Sequence, residues 1–84
     1  MNKLTNMTRA LSYYGFPTIV NVTDDPFHED HEIRIAPNIY VQVPSISDGP
    51  YLLWFVDKGV HTMMTENTDA HQLAKQLYNL TKGV

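Results

Sequence analysis

The sequence predicts a two-layer α+β domain: a mostly antiparallel sheet of about four to five strands with one helix before it and one after, in the order α-β-β-β-β-β-α. Three observations predict it. Leu4, Met7, Leu11 and Tyr14 near the start, and Ala70, Leu73, Ala74, Leu77, Leu80 and Thr81 near the end, recur at helical spacing. Between them, Ile33/Ile35 and Ile39/Val41/Val43 alternate with polar or aromatic residues at strand spacing. Tyr51-Leu-Leu-Trp-Phe-Val56 is a short, unbroken apolar run closed by Pro50 and by Asp57-Lys-Gly59, the pattern of a strand covered on both faces. Helices at the two ends of an antiparallel meander pack on it as a second layer.

The first helix is expected over residues 2–14. Gly15 suits the left-handed position that ends many helices, and Pro17 prevents continuation. Thr18 to Val22 is rich in β-branched residues and reads as a first strand. Thr23 to Asp30 breaks the pattern with acids and Pro26 and reads as an exposed loop. Two strands follow, joined by a tight hairpin at Pro37-Asn38, the alternative being one long edge strand bulged at Pro37.

Pro44 to Gly49 is a loop. After the apolar strand, Asp57-Lys58 is expected to form a type I turn with Gly59 in a left-handed bulge position, returning through Val60 to Thr65. Asn67-Thr-Asp69 offers an N-cap and an acid for the last helix, which Gly83 ends.

All of this fits one domain over residues 1–84, with 43% apolar and 18% charged residues, a globular balance. Cysteine is absent, which excludes disulfides and cysteine-based zinc sites. No stretch approaches the ~20 apolar residues of a membrane span, and the first residues lack the apolar core of a secretory signal. A cytoplasmic protein is expected.

The formal net charge of -3 and a pI of about 5.7 argue against a phosphate-binding surface, because such surfaces gather Lys and Arg. The six basic residues are scattered. A double-stranded-RNA-binding domain sets a basic cluster at its second helix; here that segment reads Asn67-Thr-Asp-Ala-His-Gln72. Direct nucleic-acid binding is not expected.

Catalytic chemistry finds no convergent set. There is no cysteine nucleophile, no serine in a nucleophile elbow and no glycine-rich phosphate loop. Ser45 and Ser47 read as loop formers, His61 as a satisfied histidine on a strand, and His71 as a surface residue. A non-enzymatic protein without a cofactor is therefore expected. His28 and His31, with Glu29, Asp30 or Glu32 between and beside them, have ligand-type side chains, but the spacing does not match the helical zinc motif. A solvated loop is the simpler reading, and a metal-binding protein using His28 and His31 is the weaker alternative.

What remains is binding. If both helices lie on one face of the sheet, which is the preferred arrangement, the other face shows Tyr40, either Tyr51, Leu53 and Phe55 or Leu52, Trp54 and Val56, and one side of the last strand, and is unusually apolar. If they lie on opposite faces, no patch is left. The residues expected to meet a protein partner, or a second copy, are Tyr40, Tyr51, Leu53 and Phe55, with Trp54 in the core. On this reading the chain is a small adaptor or inhibitor, and truncating Tyr51 and Phe55 weakens association while sparing the fold. A second possibility uses the acids Asp24, Asp25, Glu29 and Asp30 to engage a basic surface. The chain would then be an acidic antagonist of a nucleic-acid-processing complex, of the kind a phage or mobile element encodes.

Overall fold

In the computed structural model, which describes residues 3–22, 31–44 and 49–82, the chain runs α1 (Lys3–Tyr13), β1 (Ile19–Val22), β2 (His31–Ala36), β3 (Ile39–Val43), β4 (Tyr51–Asp57), β5 (Val60–Asn67) and α2 (Ala70–Lys82). The five strands form one sheet in sequence order, each antiparallel to the next. This is the α+β fold that the residue pattern predicts. The segments 23–30 and 45–48, and with them the acidic loop, lie outside the described residues.

Helix α1 ends as Gly15 implies. Gly15 has φ +83°, its N–H donates to Ser12 O at 2.9 Å, and the Phe16 N–H donates to Leu11 O at 3.1 Å. These two bonds make the Schellman motif, and Phe16 packs against the core beside the helix it closes. Helix α2 starts on Asp69, whose Oδ1 accepts from the N–H groups of His71 (2.9 Å) and Gln72 (3.1 Å). Asn67 Oδ1 in turn accepts from the Asp69 N–H at 2.8 Å. Asp69→Ala is expected to cost about 1 kcal/mol, read as a lower urea midpoint with an unchanged slope.

The β2–β3 connection is the expected hairpin, with a register shift between Arg34 and Ala36. The β4–β5 turn differs from expectation. Asp57 pairs with Val60, and Lys58 and Gly59 both have positive φ, 52° and 80°. That is a two-residue type I′ loop, whose twist matches the flanking strands better than a type I turn with a bulge. The bulge lies further along, where the register slips between Leu53 and Trp54, and β5 runs on to Asn67.

Both helices cover the same face of the sheet. Met7, Ala10 and Leu11 of α1 and Leu73, Ala74 and Leu77 of α2 share one cluster with Ile33, Ile35, Val41, Val43, Tyr51 and Leu53. The cross-strand row Ile33–Val41–Leu53 lies at its centre, each residue 0% exposed. Alternation then dictates the opposite face: Leu52, Trp54 and Val56 of β4 point away from the helices, as do Tyr40 and Gln42 of β3.

One residue of the predicted α2 stripe departs from it. Leu80 is 48% exposed, and it lies beside Met64 near the outer edge of β5. Thr81 is also exposed, and its hydroxyl donates back to Leu77 O and Tyr78 O. The buried stripe is therefore Ala70 to Leu77.

Candidate interaction face

The uncovered face of the sheet is built from two cross-strand rows. The first runs Ile19, Arg34, Tyr40, Trp54, Met63, and the second takes Glu32, Gln42, Leu52 and Glu66. Val56 sits opposite His61 next to the first row. Regular antiparallel register brings these side chains within reach of one another without any loop.

Most polar groups of this face are hydrogen-bonded, chiefly to one another. The Trp54 Nε1–H donates to Gln42 Oε1 at 3.0 Å. Arg34 donates from Nε (3.3 Å) and Nη2 (3.1 Å) to Glu32 Oε2 and from Nη1 to Pro37 O at 2.9 Å. The Tyr40 hydroxyl and His61 Nδ1 are 2.9 Å apart. The Tyr40 and Trp54 rings lie nearly parallel, 14° apart with centroids at 6.3 Å, and the Arg34 guanidinium carbon is 5.4 Å from the Tyr40 ring centre. Burial, and then the Glu32 carboxylate, raise the Tyr40 hydroxyl above the ordinary tyrosine value, with Arg34 acting the other way. Tyr40 stays protonated at neutral pH and holds its neighbours in place.

The residues expected to bind are divided by the fold. Tyr40 is on the uncovered face, but it is only 9% exposed beneath Arg34, Trp54 and His61. Tyr51 and Leu53, 2% and 0% exposed, are core residues under the helices. Phe55 is half-buried on that same helix-covered side, beyond the end of the packed core. Trp54, expected in the core, is half-buried on the uncovered face with Leu52 and Val56. The physical reason is that both phases of β4 are apolar, so period-two patterning carries no sign; the pairing with Val41, itself beneath the helices, supplies it.

Of the two alternatives for this face, Leu52, Trp54 and Val56 therefore occupy it rather than Tyr51, Leu53 and Phe55, with Ile19 and Met63 as its other apolar members. The signal lay in β3, whose Tyr40/Gln42 phase is more polar than its Val41 phase. Asp24, Asp25, Glu29 and Asp30, together with His28, lie outside the described residues. His31 is described and opens β2, paired with Val43. Among the described residues no three His, Cys, Asp or Glu side chains come together as metal ligands would, and no helix is long and apolar enough to cross a membrane.

Fold and face together define a class, a two-layer α+β domain with one sheet face that no described helix or strand covers. Comparison with protein families, characterised proteins and solved structures gives no match.

Proposed function

We propose that this chain is a non-catalytic protein-interaction module, a small adaptor or inhibitor, that docks a protein partner on the uncovered face of its sheet. The observation that supports the reading is the placement of both helices on one face. Among the described residues, that arrangement leaves Leu52, Trp54, Val56 and Met63 without a second layer. Apolar side chains grouped on an otherwise paired polar surface suit protein recognition. Trp54 is the natural anchor: large, stiffened by its bond to Gln42, and of the residue type that carries most binding energy at interfaces.

Introducing Leu52→Lys with Val56→Lys is expected to abolish capture of a partner that wild-type protein retains from its cell of origin. The thermal midpoint should move by only a few degrees, since both sites are away from the core. Titrating the purified partner should shift the emission of Trp54, the one tryptophan in the chain. Equal capture by both proteins, or an unmoved Trp54 spectrum at saturation, refutes the reading.

A further inference from the structure

The free edge of β5 poses a separate problem. The opposite edge of the sheet is β1, only four residues long. Strand β5 is eight residues long and carries no proline, and no Lys, Arg, Asp or Glu occurs between Lys58 and Glu66. Long, uncharged edges invite pairing, and proteins usually blunt them. Val60, Met63 and Met64 are all exposed along this one.

Which backbone groups point outward follows from the hairpin. Asp57 and Val60 flank a two-residue loop and so form a hydrogen-bonded pair. Alternation then makes Val56–His61 and Trp54–Met63 pairs without mutual backbone bonds. The Val56 N–H agrees: it donates the other way, to Asn38 O at 2.8 Å. His61 and Met63 therefore turn their N–H and C=O groups away from β4, to the sheet edge where no described strand pairs with them.

We propose that β5 is a self-pairing edge: two copies of the chain join their β5 strands antiparallel, about a two-fold axis at Thr62, into one continuous sheet. An axis there is the register that uses both outward residues. His61 of each copy meets Met63 of the other, giving four backbone hydrogen bonds, while Thr62 faces its own counterpart as a non-bonded pair.

The same register also matches apolar side chains across the axis. On the helix side, Val60 faces Met64 of the second copy. There it covers the hollow lined by Phe55, Val60, Thr62 and Met64, with Asp57 and Lys58 at the hairpin end. The bulge at Met64 confines regular pairing to the stretch around Thr62. Met63 borders both this edge and the face carrying Trp54, but the pairing runs through the β5 backbone and the inference does not rest on partner binding at that face.

The test is native mass by sedimentation equilibrium, from micromolar to near-millimolar protein. Wild type is expected to reach twice its chain mass of 9.6 kDa. Thr62→Lys sets two like charges on the axis and should weaken the dimer at least about tenfold.

Thr62→Cys provides a check that does not need an unfavourable side chain. Facing residues of a non-bonded antiparallel pair have Cα atoms about 4.5 Å apart, within disulfide reach. With no other cysteine in the chain, oxidation should give a covalent dimer, whereas His71→Cys, exposed on α2, should not. Single-chain mass at every concentration, with no crosslink at Thr62→Cys, overturns the proposal. So does a dimer that survives Thr62→Lys but is lost with Leu52→Lys and Val56→Lys, which would place the contact on the uncovered face instead.

Discussion

Leu53→Ala is expected to destabilise the fold by about 3 kcal/mol, and the same change at the adjacent Leu52 by about 1 kcal/mol or less. The two leucines are consecutive on β4, and their chemistry is identical. Leu53 is 0% exposed, at the centre of the row that both helices cover, whereas Leu52 looks out from the uncovered face. Truncating Leu53 loses the transfer energy of its side chain and leaves a cavity that Val41, Leu73 and Leu77 cannot all move to fill. A domain of this length holds roughly 4–12 kcal/mol in total, so a loss of this size removes a large share. Urea melts of the two variants decide the matter. Equal losses would mean that β4 is packed on both sides, and the uncovered face would not exist.

Tyr51→Ala is expected to cost about 4 kcal/mol, and Tyr51→Phe about 1 kcal/mol. Tyr51 joins the layers at the start of β4. Its ring is buried with the core cluster, and its hydroxyl donates to Lys3 O in α1 at 3.0 Å. The Lys3 ammonium lies 4.5 Å from the ring centre and donates to Gly49 O just before the strand. Alanine removes the ring and releases the start of α1; phenylalanine removes the hydroxyl alone. The sequence-based expectation that truncating Tyr51 spares the fold is therefore reversed: loss of binding in such a variant would report unfolding.

The hydroxyl also gives a pH signature. Burial first, and the Asp69 carboxylate second, raise the Tyr51 pKa above its ordinary value. The folded state thus holds this proton more tightly than the unfolded chain does. Its contribution is complete below the unfolded pKa of about 10 and is lost as pH rises through the folded value. Thermal melts across the alkaline range should show Tyr51→Phe losing less stability than wild type as pH rises. Tyr40, shifted in the same direction, accounts for part of what remains.

Much of this architecture was legible before any coordinates. Helical spacing identified α1 and the buried part of α2, because each has one apolar stripe against polar surroundings. Gly15 and Asp69 marked helix ends, because a left-handed residue and a capping carboxylate are local requirements with few chemical solutions. The Pro37-Asn38 hairpin was legible for the same reason. The Lys58-Gly59 turn was only half legible, since Gly59 announced positive φ but nothing announced it at Lys58. Leu80 was misplaced because spacing reports which way a residue points and not how far the neighbouring layer reaches.

The amino-acid order alone thus determined which segments are helix and strand, and which residues within each strand share a side. Those properties depend on near neighbours along the chain. Only the tertiary structure decided which side of β4 is inside, because Tyr51/Leu53 and Leu52/Trp54/Val56 are equally apolar and local patterning cannot rank them. The choice was made by the docking of α1 and α2 on the row through Ile33 and Val41. Contacts between residues far apart in sequence therefore gave Trp54, rather than Tyr51, to the uncovered face.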